Sequence, residues 1–158
     1  MDLGLAGKNV IVTAGSGGLG YYIARAYASE GASVTVSARN PDRLEAAVAK
    51  IRTETGGSIT AVVADMTDAD AIGAMIDQVE ERQGGIDVLV SNSGGANTAP
   101  FIDMTDDLWR DAAETKIIPQ IRTARLVFRK MIARGAGGRI IFMAGTHGRQ
   151  PHAHAITA

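Results

Sequence analysis

The chain has 158 residues, 46% of them hydrophobic and 21% charged, which is enough apolar content to bury the core of an α/β unit. A formal net charge of -1 gives no electrostatic basis for a nucleic-acid or anionic-membrane partner. No apolar run approaches the roughly 20 residues that a bilayer span requires, and Met1-Asp2-Leu3-Gly4 lacks a basic leader region, so cytoplasmic residence is expected. With no cysteine, disulfides and thiolate chemistry are excluded.

In chain order, short and mostly β-branched apolar runs predict strands at Lys8–Thr13, Ser33–Ser37, Ile59–Ala64, Ile86–Ser91 and Arg139–Met143. Helical periods lie between them. Tyr21 to Glu30 is the first. Asn40-Pro41 reads as an N-cap with proline at the first helical position, ahead of a stripe of Leu44, Ala47, Val48 and Ile51 that stops at Gly56-Gly57. Thr67-Asp68-Ala69-Asp70 opens the next helix, with Ile72, Met75, Ile76 and Val79 on one face. A last helical stretch runs from Thr105 to Arg134, and Pro119 should kink or split it near Thr115–Lys116. Five strands alternating with helices predict a doubly wound parallel sheet, Rossmann-like and single-domain.

The segment Thr13-Ala14-Gly15-Ser16-Gly17-Gly18-Leu19-Gly20 sits between the first predicted strand and the first predicted helix. Turn glycines let the backbone approach a pyrophosphate, and the helix N-terminus offers free N–H groups and partial positive charge. Glycine spacing alone is a weak signal; in this strand–turn–helix setting it points to a dinucleotide. At the end of the second strand, Ser37-Ala38-Arg39-Asn40 carries no acid and one guanidinium. An acid there would hold the ribose hydroxyls of NAD. Arg39 would pair with a 2′-phosphate instead, which favours NADP. The alternative for Arg39 is a solvated arginine at a helix start.

Together these residues resemble the short-chain dehydrogenase/reductase family, particularly its 3-oxoacyl-carrier-protein-reductase-like members. Thr13, Ala14, Gly18 and Gly20 correspond to the family's Thr-Gly-x-x-x-Gly-x-Gly, with Ala14 in place of the first glycine. Asp65 matches the acid that hydrogen-bonds the adenine ring, and Ser91-Asn92-Ser93-Gly94 partly matches Asn-Asn-Ala-Gly. Trp109 stands where the family often has tryptophan. The resemblance implies cofactor contacts from Thr13, Gly15, Ser16, Gly18, Leu19, Gly20, Arg39, Asp65, Met66, Asn92 and Gly94. It also implies a small carbonyl or alcohol substrate and a homo-oligomer.

The family's catalytic set fits this sequence poorly. Lys116 falls at its Asn position and Gly145 at its Ser position, with Thr146 as the neighbouring hydroxyl. The family's Tyr, with a Lys four residues later, would fall near Ile156 to Ala158, whereas all three tyrosines, Tyr21, Tyr22 and Tyr27, lie near the glycine turn. The family pattern needs about 250 residues, so an N-terminal part lacking the last strands and helices is expected. Lys116, Thr146 and His147 are the candidate acid–base residues. His152 and His154 offer, with His147, replacement acid–base chemistry, a metal pair of their own, or a polar surface loop, and no metal is expected. The two resulting readings are an NADP(H)-dependent oxidoreductase and a non-catalytic dinucleotide-binding or assembly protein.

Overall fold

The computed structural model describes residues 1–95, 99–146 and 149–150. Five strands, β1 (Asn9–Val12), β2 (Ser33–Ala38), β3 (Ile59–Val63), β4 (Val88–Ser91) and β5 (Arg139–Phe142), form one parallel sheet in the order β3-β2-β1-β4-β5. The helices are α1 (Gly18–Ser29), α2 (Pro41–Thr55), α3 (Ala69–Gln83), α4 (Asp106–Ala112) and α5 (Ile118–Arg134). Helices α1 and α2 pack together, as do α3 and α5. The expected doubly wound architecture is therefore present.

Strand alternation builds two core layers. Val10, Val12, Val34 and Val36 meet Ala24, Leu44, Val48 and Ile51 of α1 and α2. Ile11 and Leu89 meet Ile72, Met75 and Ile76 of α3, with Val127 and Met131 of α5. Each fully buried aliphatic side chain contributes on the order of 1.5–3 kcal/mol. The stripes expected of α2 and α3 are the buried ones.

Several helix ends follow local chemistry. Asn40 Oδ1 accepts from the Arg43 N–H at 2.9 Å, Asp68 Oδ1 accepts from Asp70 and Ala71, and Gly56 closes α2 at φ 66°. Three expectations shift. Helix α1 starts at Gly18, ahead of Tyr21, because the glycine turn itself winds into the helix, with Tyr21 N–H donating to Gly17 O. Strand β4 starts at Val88, not Ile86: the Asp87 carboxylate takes the Asn9 N–H at 2.9 Å, so the β1–β4 ladder begins at Val10 and Val88. The split before Pro119 is a π-turn over Ala113–Ile117, which joins α4 to α5.

Both sheet edges are open among the described residues. On β5, Ile141 and Phe142 are exposed, and so are Ile117, Ile121, Phe128 and Ile132 on and beside α5. No helix among the described residues is long and apolar enough to cross a membrane.

Candidate nucleotide site at the carboxyl edge of the sheet

Strands β1 and β4 are neighbours, yet the chain leaves β1 towards β2 and leaves β4 towards β5. This reversal opens a crevice at the carboxyl ends of the strands, where open α/β sheets bind ligands. A cavity of about 500 Å³ lies at this edge. Its wall draws on the loops after β1 (Ala14, Ser16), β2 (Arg39, Asn40), β3 (Asp65, Met66, Thr67) and β4 (Ser93, Gly94, Gly95). Arg43 of α2, Asp111 of α4 and Thr115 of the π-turn complete it.

The glycine loop is held from beneath. Thr13 is fully buried, and its Oγ1 accepts from the N–H groups of Asn92 at 2.9 Å and Ser93 at 3.2 Å. Asn92 Nδ2 donates to Ala14 O at 3.4 Å. A side chain on Gly20 would begin 2.6 Å from Ala14 O and 2.7 Å from Asn92 Nδ2, so α1 can approach β4 this closely only with glycine there. Ala14 adopts φ 52°, a left-handed conformation that costs an L-residue on the order of 1–2 kcal/mol. Gly17 gives α1 no side-chain cap, whereas Asn40, Asp68 and Thr105 cap α2, α3 and α4. The first turn of α1 thus begins without a side-chain cap, directly after Ser16 of the cavity wall.

Asp65 shapes the opposite wall. Its Oδ1 accepts from Thr67 N at 2.9 Å and Thr67 Oγ1 at 2.8 Å. The Thr67 backbone N–H leads in holding its carboxyl below the ordinary value; the Thr67 hydroxyl and the Arg39 charge assist, and partial burial opposes them. The buried Met66 offers Sδ to the Ser37 hydroxyl at 3.7 Å.

Of the expected cofactor residues, Ser16, Arg39, Asp65, Met66 and Gly94 line the cavity. Thr13, Gly15, Gly18, Leu19, Gly20 and Asn92 do not; Thr13 and Asn92 instead brace the loop from within. Lys116 and Thr146 are also outside this wall, although a side chain on Gly94 would begin 3.0 Å from Lys116 Cγ, so the π-turn packs against the β4 loop. His147, His152, His154 and Ile156 to Ala158 lie outside the described residues. No group of three potential metal ligands occurs among the described residues.

Sequence reasoning missed Asn40, Arg43, Ser93, Asp111 and Thr115 as wall residues, and Gln120 as a tie between the edge loops. The Gln120 Nε2 donates to Ser93 O at 3.2 Å and Met143 O at 3.5 Å, linking the ends of β4 and β5. Arg43 alone had a readable signal, lying four residues after Arg39 in the first turn of a capped helix.

Comparison with known proteins settles the family. The model of the short chain dehydrogenase family matches residues 8–157. The chain belongs to that family. It is 36% identical over 132 residues to the short chain dehydrogenase/reductase dpchG of Colletotrichum higginsianum, covering 83% of this chain and 49% of that protein. The L-sorbose reductase of Gluconobacter frateurii, solved with NADPH and L-sorbose, superposes with a TM-score of 0.92 at 32% identity, covering 99% of this chain and 59% of that one. A 7α-hydroxysteroid dehydrogenase solved with NADH gives a TM-score of 0.88 at 31% identity, over 97% of this chain and 60% of that one. The chain spans about half the length of the curated relatives it matches. Family membership makes this an oxidoreductase scaffold. The two neighbours bind different nicotinamide cofactors on the same scaffold, so cofactor choice falls to individual residues.

Proposed function

We propose that this chain forms the cofactor half of an NADP(H)-dependent oxidoreductase that acts on a carbonyl or alcohol. The observation that carries this reading is Arg39 in the cavity wall at the end of β2, a place where ribose recognition would need an acid and where Ala38-Arg39-Asn40 has none.

The residues present fit a dinucleotide. The uncapped start of α1 and the glycine turn can hold a pyrophosphate through backbone N–H groups and helix dipole. Arg39 would take the 2′-phosphate. Asp65 and Met66 would flank the adenine, and Asn92 with Gly94 would sit at the nicotinamide end, with Ser16 and Leu19 beside the phosphates. The remaining loop positions Thr13, Gly15, Gly18 and Gly20 set the backbone path. When bound, the nicotinamide supplies hydride transfer. Proton transfer would fall to Lys116, Thr146 or His147, of which His147 lies outside the described residues.

A second reading, a non-catalytic nucleotide-binding or assembly protein, draws on two features. Gly145 stands where the family's Ser is expected, and the three tyrosines of these 158 residues all lie in α1. The 158-residue chain is accordingly expected to bind cofactor without reducing ketones at an ordinary enzymatic rate, since general acid catalysis contributes about 10²–10⁴-fold. Ketone-dependent NADPH oxidation by the purified chain is the assay. Ordinary turnover would show that a replacement acid is present, and alanine substitution at Lys116, Thr146 and His147 would then locate it.

A further inference from the structure

Strands β4 and β5 run together only as far as the Met143 N–H, which donates to Ser91 O at 2.9 Å. The ladder ends at this rung. The chain after β4 is then held towards β1, because the Asn92 and Ser93 N–H groups both donate to Thr13 Oγ1. Neither Ser93 O nor Met143 O accepts a backbone N–H from another described residue. A carbonyl deprived of both water and a donor costs free energy, so each needs a side-chain partner.

Gln120 supplies both. Its Nε2 carries two hydrogens and lies 3.2 Å from Ser93 O and 3.5 Å from Met143 O, so one half-buried amide spans the gap between the loops after β4 and β5. Its seat is fixed within α5: it follows the buried Pro119, whose carbonyl accepts from the Thr123 hydroxyl at 2.7 Å. The π-turn just ahead packs Lys116 against Gly94 of the same β4 loop, and such turns are frequent at functional sites. On one side of the gap, Ser93 and Gly94 are cavity wall; on the other, the chain runs from Met143 to Thr146.

We propose that Gln120 is a positioning residue: it holds the loop after β5, with the candidate acid–base residue Thr146, in register with the nicotinamide end of a bound dinucleotide. This rests on the dinucleotide reading above. Hydride and proton transfer require their groups to be set to within about 1 Å, and these two loops leave strands whose ladder has already ended. A methionine has the length of glutamine but neither donor, whereas a lysine keeps donors on a stem that can reach both carbonyls.

The test is titration of the 158-residue chain with NADPH and NADH and with their nicotinamide-free halves, 2′-phospho-ADP-ribose and ADP-ribose, for the wild type, Gln120→Met and Gln120→Lys. Amide hydrogen exchange at residues 144–146 is followed with and without cofactor. Gln120→Met is expected to weaken the preferred reduced cofactor by roughly three- to tenfold, the worth of about one neutral hydrogen bond, while changing its nicotinamide-free half by less than about twofold. In the wild type the cofactor should slow exchange at 144–146, and in Gln120→Met that cofactor-dependent protection should be lost. Gln120→Lys should restore part of both effects. If Gln120→Met weakens the cofactor and its half alike, Gln120 serves the fold alone. If it changes neither the affinity nor the protection, the tie has no part in binding. Either result overturns the proposal and leaves the dinucleotide reading standing. A wild-type chain that binds none of the four ligands overturns both.

Discussion

Two residues, Ala14 in the cavity wall and Asp87 before β4, show how local strain and charge enter stability. Ala14 holds φ 52° with its carbonyl oxygen engaged by Asn92, in a turn where the family usually has glycine. Replacing it with glycine removes a left-handed penalty of on the order of 1–2 kcal/mol and adds about 0.5–1 kcal/mol of unfolded-state entropy. Ala14→Gly should therefore raise stability by roughly 0.5–1 kcal/mol, read as a higher urea midpoint at unchanged slope; a lower midpoint would mean that the alanine methyl makes a contact worth more than the strain. Asp87 is the second. Its Oδ2 accepts from Asn9 N and its Oδ1 from Arg134 Nη2 at 2.8 Å. Burial pushes the Asp87 carboxyl up, but the Asn9 N–H, the Arg134 hydrogen bond and charge, and Lys8 together hold it below its ordinary value. A carboxyl depressed in the folded state stabilises fully above its unfolded pKa and loses that contribution as pH falls through the folded value. Stability should thus decline below about pH 4, and Asp87→Asn should flatten the decline while lowering stability near neutrality. Unchanged acid sensitivity in the variant would remove Asp87 as a cause.

At the scale of elements, what was legible depended on how local the chemistry is. The caps at Asn40 and Asp68 and the stop at Gly56 were readable because each is written within a few residues. The break before Pro119 was readable too, but its form was not: the π-turn over Ala113–Ile117 packs against the β4 loop at Gly94, a long-range contact that local spacing does not encode. Helix α5 shows the limit of periodicity. Ile117, Ile121, Ala124, Phe128 and Met131 recur at helical spacing, yet Met131 is buried in the core and Ala124 packs against it, while Ile117, Ile121 and Phe128 are more than half exposed. A sequence gives the period of a helix and not which half of a wide apolar arc meets the sheet. The exposed half also includes Ile132. Such a face favours self-association with two-fold symmetry. Light scattering at micromolar concentration is expected to detect oligomers, and Phe128→Glu should shift them towards monomer. A monodisperse monomer in the unaltered chain would contradict the homo-oligomer expectation.

At the scale of the whole molecule, the sheet order places four loops around one crevice, and only that convergence turns separate motifs into a site. The doubly wound parallel sheet was implied by alternating strands and helices, and the glycine turn, Arg39 and Asp65 were visible as single signals. Asp111 and Thr115 were not, because they reach the cavity through packing of α4 and the π-turn, which no spacing rule encodes. The cofactor preference is the claim on which the functional reading turns, and equilibrium titration of the chain with NADPH and NADH, for the wild type and Arg39→Asp, tests it most directly. A charge-assisted guanidinium–phosphate contact of about 1.5–3 kcal/mol predicts at least a tenfold preference for NADPH, lost or reversed in Arg39→Asp. Equal affinity for the two cofactors, unaltered by that substitution, would contradict it.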